Sequence, residues 1–216
     1  MKVPRVFVSM GTPYTENQTR FRVALESLLR TQCGVDPRII GVNEYPSGSP
    51  VHKIRDTMST CDGVLVVAYE RKYVQRGIER RASPQERTFV DEKYTTPWNH
   101  IESAIAFSMG IPLYVLCETG VVEEGLIESK VDWFVKRVDF VPDVLVKPEV
   151  LESIRAWVNE RVIPHARKPT GALPALARLK FSELTSHDLY VLYVLLAAVF
   201  AAGTAVGVFL RRVIQH

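Results

Sequence analysis

The composition of this 216-residue chain excludes two large classes of function. Lys and Arg number 27 and Asp and Glu number 24, which gives a net charge of +3. Because the basic residues are dispersed along the chain, a nucleic-acid-binding surface is not expected. The three cysteines, Cys33, Cys61 and Cys117, follow no zinc-ligand spacing, so we expect reduced thiols, a reducing compartment and no metal site.

The first 165 residues alternate between short apolar runs with strand character and segments with helical periodicity. The predicted strands are 5–9, 38–41, 63–68 and 112–117, and the predicted helices are 17–31, 49–60, 97–109 and 148–163. A long polar segment, 69–95, separates the third strand from the third helix. Near-continuous apolar strands that alternate with helices are typical of a parallel sheet covered on both faces. Residues 1–165 are therefore predicted to form one α/β domain with a flavodoxin-like, three-layer parallel sheet.

Residues 189–210 form an apolar run of about 22 positions without a formal charge, which is long enough to cross a bilayer. We therefore predict one C-terminal transmembrane helix, preceded by a juxtamembrane linker over 166–188 and followed by a short basic tail over 211–216. The first residues lack the pattern of a signal peptide. A single-pass membrane protein with its N-terminal domain in the cytoplasm is expected.

Small residues recur inside this predicted membrane helix. Gly203 and Gly207 form a GxxxG pattern, and such a face lets two helix backbones approach closely. The pattern favours a homo-oligomer formed through the Gly203/Gly207 face. The alternative is that these glycines reflect only how common small residues are in membrane helices.

Candidate ligand-binding residues lie at the ends of the first and third predicted strands. Ligands of doubly wound sheets bind outside the carboxyl ends of the strands, where Ser9, Gly11, Thr12 and Tyr14 end or follow the first strand and Tyr69 follows the third. A plain turn explains the glycine equally well, and both tyrosines are alternatively surface or core aromatics. This region has neither a GxGxxG pattern nor a P-loop lysine, which argues against a standard dinucleotide fingerprint and against an NTPase.

The helix predicted at 97–109 has a well-marked start. Thr96 is a suitable N-cap, and Pro97 suits the first helical position. Ile101, Ile105 and Met109 follow at helical spacing, so we expect them to form the apolar stripe that faces the sheet.

Beside that stripe, Trp98, Asn99 and Glu102 are spaced to share one face of the helix. A carboxylate in a strand-end cleft, with an aromatic ring and an amide beside it, could hold a ribose. It could also attack or stabilise a ribosyl carbon as an N-glycosidic bond breaks. Glu102 is therefore the candidate catalytic residue, with Trp98 and Asn99 as ligand contacts. The alternative is an ordinary exposed helix glutamate.

The Trp98-Asn99-x-x-Glu102 pattern resembles the Trp-Cys-x-x-Glu signature of Toll/interleukin-1 receptor (TIR) domains, and the run 5–9 resembles their opening strand. In enzymatic TIR domains that glutamate cleaves NAD. The resemblance thus implies a catalytic Glu102 and NAD as the substrate. Asn99 stands where the TIR signature has cysteine.

A second resemblance is to the nucleoside 2-deoxyribosyltransferase-like family. It rests on the turn Cys61-Asp62-Gly63, which leads into an apolar strand, and on the Gly-Ile-Pro sequence at 110–112. Asp62 is a further candidate ligand contact, and the alternative is that it caps the turn before the third strand. Thr96 stands where this family has an aspartate six positions before the glutamate, which argues against base exchange.

Two functions from different classes follow. The first is a membrane-anchored N-glycosidase, a hydrolase that acts on NAD or a nucleotide through Glu102 and needs no separate cofactor. The second is a sensor that binds a nucleotide signal without cleaving it, oligomerises, and acts through its membrane helix as an antiviral defence effector of bacteria. A TIR-like adaptor that binds only protein is a third alternative.

Overall fold

The computed structural model describes residues 3–40, 50–128 and 134–167. The predicted membrane helix 189–210, the Gly203/Gly207 face, the tail 211–216 and the linker beyond residue 167 lie outside the described residues. Within the described ranges, no helix has the length and mean hydropathy needed to cross a bilayer.

The described elements alternate between strands and helices for most of the chain. In chain order they are β1 (Arg5–Met10), α1 (Glu16–Thr31), β2 (Asp36–Arg38), α2 (Pro50–Ser59), β3 (Gly63–Ala68), β4 (Lys72–Glu79), β5 (Arg87–Tyr94), α3 (Pro97–Ser108), β6 (Leu113–Glu118), β7 (Phe134–Val138), α4 (Pro148–Trp157) and α5 (Ile163–Ala166). Short 3-10 turns occur at Gly125–Ile127 and Pro142–Val146, and a π-helical turn, Val158–Val162, joins α4 to α5.

Five of the strands form one parallel sheet in the order β2-β1-β3-β6-β7. Counted among the parallel strands alone, this is the doubly wound order 2-1-3-4-5 of flavodoxin-like folds. The central strand β3 is buried along its whole length, as its apolar sequence predicts. The predicted parallel α/β sheet is confirmed. Its order reverses between β1 and β3, which places the expected ligand crevice beside the ends of these two strands.

Helices cover both faces of the sheet and create two apolar cores. On one face, Val8 and Leu65 pack with Phe21 and Leu25 of α1 and with Trp157 of α4. On the other face, side chains of β1, β3 and β6 pack with residues from α2 and α3; this second core includes Phe7, Ile54, Met58, Val64, Val66, Ala106 and Val115. Alternate residues of one strand thus serve different cores, because successive side chains point to opposite faces.

Four parts of the predicted pattern differ from the structure. The segment 69–95 contains the antiparallel hairpin β4–β5, which forms a separate two-stranded sheet. β7 adds a fifth parallel strand that was not predicted, and β2 begins and ends before the predicted 38–41. The helix predicted at 148–163 changes to π-type hydrogen bonding near its end, where Pro164 has no N–H to continue the α-helical ladder.

Candidate functional site

α3 begins at the carboxyl edge of the sheet, and its cap has the predicted form. The side chain of Thr96 accepts a hydrogen bond from the Trp98 backbone N–H, and Pro97 occupies the first turn. This cap fixes the direction in which the helix leaves the loop that follows β5.

The buried face of α3 is polar. Asn99 is 1% exposed, Glu102 7% and Ser103 0%, and the small Ala106 is the remaining fully buried residue of the helix. These positions follow the i, i+3, i+4, i+7 spacing of a single helical face.

The expectation that Ile101 would face the sheet was therefore wrong. Ile101 is 39% exposed, whereas Ile105 and Met109 are partly buried against the core of the α2–α3 side. Trp98 is 42% exposed and does not share the buried face of Asn99 and Glu102. Ile101 is displaced toward solvent because Asn99 and Glu102 have a partner, Ser9, on the sheet.

Asn99 joins the start of α3 to the end of β1. Its side-chain amide donates to the backbone carbonyl of Ser9 at 3.2 Å and to the Ser9 hydroxyl at 2.9 Å. Its amide oxygen accepts from the hydroxyl of Thr95 at 2.6 Å. The amide thus satisfies three polar groups in a region that excludes water, which holds Ser9 in place at the carboxyl end of β1.

The side chain of Glu102 is a buried carboxyl group whose pKa is raised. Burial raises its pKa from 4.5 to about 7, and a hydrogen bond with the Ser9 side chain partly opposes that rise. A carboxyl group with a pKa near neutrality can hold or release a proton at physiological pH, which is the property required of a general acid, a base or an ionised nucleophile.

The turn after β1 is held against two neighbouring elements at Gly11. The Tyr69 hydroxyl, at the end of β3, donates to the Gly11 carbonyl. A Cβ atom on Gly11 would lie 3.6 Å from the Thr96 methyl group and 3.6 Å from the Tyr69 hydroxyl. Burial raises the pKa of Tyr69, so this hydroxyl remains a donor. Gly11 is thus the point at which the loops after β1 and β3 meet the cap of α3.

Tyr14 lies at the exposed rim of this edge. Its hydroxyl donates to the backbone carbonyl of Glu70 at 2.8 Å, and the guanidinium carbon of Arg71 lies 5.8 Å from the centre of its ring. The Glu70 N–H in turn donates to a carboxylate oxygen of Glu118 at 2.6 Å. These contacts tie the loop after β1 to the ends of β3 and β6.

A cavity of about 500 Å³ opens beside Gly11. Its lining residues come from the turn after β1, from α1 and from the residues that follow β2; they are Met10, Gly11, Thr12, Pro13, Thr19, Arg22, Ile39 and Ile40. The sequence analysis identified Gly11 and Thr12 but missed the contribution of α1. Thr19 and Arg22 lie four and seven residues after the N-cap Thr15, a spacing that places both on one face but does not mark that face as part of a cavity.

Asp62 is placed away from these groups. It precedes β3, at the amino edge of the sheet, where its carboxylate accepts a hydrogen bond from the Arg5 backbone N–H at 2.8 Å. The structure therefore brings together Ser9, Gly11, Asn99 and Glu102, and it does not bring Asp62 to them. The geometry matches the alternative in which Asp62 caps the turn before the third strand.

No protein-family model matches the chain, and the comparison with curated proteins gives no match. Three solved structures are similar in part. The apo form of the NADH:FMN oxidoreductase EMOB matches over 78% of this chain and 93% of its own, with 14% identity and a TM-score of 0.41. A prokaryotic SEFIR domain matches over 72% and 98%, with 13% identity and a TM-score of 0.36.

The third is the Flv1 flavodiiron core from Synechocystis sp. PCC6803, which matches over 76% of this chain with 9% identity and a TM-score of 0.39. The chain spans only 36% of that protein's length. At such low identities and TM-scores these likenesses carry no inference about activity, and the fold assignment rests on the strand order and the two cores.

Proposed function

We propose that the domain binds a nucleotide or NAD at the carboxyl edge of its sheet and hydrolyses the N-glycosidic bond through Glu102. The observation that carries the proposal is the state of this carboxyl group. It is 7% exposed, its pKa is raised to about 7, and it lies against Ser9 at the end of β1. Burial of a carboxyl group lowers the stability of the folded protein. A catalytic role for Glu102 explains why such a group is retained at this edge of the sheet.

The chemistry of glycoside cleavage uses such a group. As the bond between base and sugar breaks, positive charge develops on the ribosyl carbon, and an ionised carboxylate stabilises or attacks that carbon. In the low dielectric around Glu102 this attraction is stronger than in water. Asn99 and Ser9 keep the carboxyl group in position, and the pattern Trp98-Asn99-x-x-Glu102, which resembles the TIR signature, supports the same assignment.

The proposal includes membrane attachment. Its support is the uncharged run 189–210, which has the length and composition of a membrane-spanning helix. Association through Gly203 and Gly207 would place copies of the domain next to one another.

The test measures the release of free base by chromatography. Detergent-solubilised full-length protein is incubated with NAD and with a panel of nucleosides and nucleotides. Glu102→Gln retains the shape and the burial of the side chain but cannot ionise, so base release should fall by at least about a hundredfold. Glu149→Gln is the matched control, because Glu149 is an exposed glutamate in the first turn of α4. It should keep the wild-type rate.

Two outcomes contradict catalysis by Glu102. Base release by Glu102→Gln at the wild-type rate would remove its catalytic role. Absence of release from every compound, together with a thermal shift caused by one of them, would support instead the sensor that binds its ligand without cleaving it.

A further inference from the structure

We propose that Arg22 makes the cavity beside Gly11 selective for ligands that carry a phosphate group, so that the ligand is a nucleotide and not a free nucleoside. The inference rests on the proposed function, because it concerns another part of the same ligand. It assigns a role in specificity to a residue of α1 that has no part in the chemistry at Glu102.

The walls of the cavity suit such a ligand. Met10, Ile39 and Ile40 supply apolar surface, and Arg22 is the only ionisable side chain among the described lining residues. The volume of about 500 Å³ falls within the range of small-molecule sites. Thr12, Thr19 and the Arg22 guanidinium add polar surface to the described part of the lining. Such a mixed wall suits a ligand that combines a flat or apolar body with an anionic group.

Arg22 is positioned to bind that anionic group. Its side chain is 23% exposed, and its Nη1 atom contacts Glu26 Oε1 at 3.0 Å. A guanidinium group has five N–H donors in a rigid fork. The Glu26 contact fixes one arm of the fork, and the other donors suit two phosphate oxygens. Because the side chain is mostly buried, salt screens this interaction less than it screens a surface pair.

The charge of Arg22 also reaches the Gly11 turn. Burial raises the pKa of the Tyr69 hydroxyl, and the positive charges of Arg71 and Arg22 oppose that rise. The same hydroxyl donates to the Gly11 carbonyl. Gly11 lines the cavity and follows Ser9 by two residues, and Ser9 in turn contacts Asn99 and Glu102. A ligand with its phosphate at Arg22 would therefore reach the Gly11 turn, which is connected through Ser9 to Asn99 and Glu102.

The test compares each common nucleoside with its 5′-monophosphate as a probe, by calorimetry on the detergent-solubilised full-length protein. At least one monophosphate should bind about tenfold or more tightly than its nucleoside, the factor expected for a charge-assisted contact. Arg22→Gln should weaken monophosphate binding by about that factor and leave nucleoside binding unchanged. Arg22→Lys should restore part of the preference, because it keeps the charge but not the fork.

Two further variants separate ligand binding from structure. Glu26→Gln removes the carboxylate that competes for Arg22 and should strengthen monophosphate binding. A merely structural role of the Arg22–Glu26 pair predicts the opposite, because loss of the pair would then weaken the site. Arg30→Gln is the matched control on the same helix, since Arg30 pairs with Asp36 and lies outside the cavity lining. It should leave all affinities unchanged.

The outcomes distinguish this inference from the proposed function. Equal binding of nucleoside and monophosphate, or an equal loss of both in Arg22→Gln, would overturn the role of Arg22 while nucleotide binding stands. Failure of every probe to bind, with no base released from NAD or from any nucleotide, would overturn both.

Discussion

α1 and α3 cover opposite faces of the same sheet, and their buried sides differ in chemistry. After its first turn α1 buries only apolar side chains, whereas α3 buries an amide, a carboxyl group and a hydroxyl group. The buried residues of α1 beyond the first turn are Phe21, Leu25, Leu28 and Leu29, and those of α3 are Asn99, Glu102, Ser103 and Ala106.

The two helices therefore have different roles: α1 contributes mainly to stability, and α3 contributes mainly to the candidate site. Apolar burial contributes about 25 cal/mol per Å² of surface removed from water, so α1 stabilises the fold simply by packing. A buried polar group has a net cost unless every partner is in place. α3 meets that condition through Ser9 and Thr95, and its buried face therefore adds little to stability while it holds Glu102 at the edge of the sheet.

The largest loss of stability is expected when a buried apolar side chain of α1 is truncated. Leu25 is 1% exposed, and Leu25→Ala should lower the free energy of unfolding by about 3 kcal/mol, because it removes buried methyl groups and leaves a cavity. Denaturant titration of the full-length protein measures this loss. Val23→Ala is the control on the same helix, since Val23 is 56% exposed, and it should change little. A loss below about 1 kcal/mol for Leu25→Ala would show that α1 does not anchor the fold.

The second effect is a pH dependence of the free energy of unfolding that originates at Glu102. Burial raises its pKa from 4.5 to about 7, so between these values the folded protein keeps a proton that the unfolded chain has released. Stability from this group is therefore fully present below about pH 4.5, falls as the pH rises to about 7, and is constant above it. The loss should amount to roughly 3 kcal/mol over that interval.

Glu102→Gln isolates this contribution, because glutamine has the same shape and no titration. The difference in the free energy of unfolding between wild type and variant, measured from pH 4.5 to 8, should change in favour of the variant as the pH rises. A difference that is constant across this range would mean that Glu102 titrates normally and is not desolvated in the folded protein.

The elements with regular apolar patterns, such as β3 and α1, were also the ones that the sequence predicted best. The strand 63–68 is apolar at every position, and α1 shows a regular stripe, so the period of each pattern identifies the element and its buried face. The hairpin β4–β5 escaped prediction because its strands are rich in charge and are mostly exposed. Asp91 also has a φ of 55°, which interrupts strand alternation in β5.

For α3, the shared face of Asn99 and Glu102 was predicted correctly, but the orientation of the helix was not. The spacing from Asn99 to Glu102 placed both on one face, yet the isoleucine at 101 suggested that a different face was buried. Hydrophobic periodicity assumes that apolar residues point inward, and it cannot register the hydrogen bonds to Ser9 that reverse this preference in α3. Arg22 was missed because its role depends on a cavity that three separate chain segments form together.

The smallest effect on stability separates the two buried uncharged polar residues of α3, Asn99 and Ser103. Asn99→Ala leaves the buried Thr95 hydroxyl without its acceptor and the Ser9 carbonyl without one donor, which should cost about 1 to 2 kcal/mol. Ser103→Ala should change the free energy of unfolding by less than about 0.5 kcal/mol, because the Ser103 hydroxyl donates only to the Asn99 carbonyl one turn earlier and alanine is the better helix former. Denaturant titration of both variants at one pH tests the contrast. Equal losses would mean that Asn99 acts only as a buried side chain and does not position Ser9.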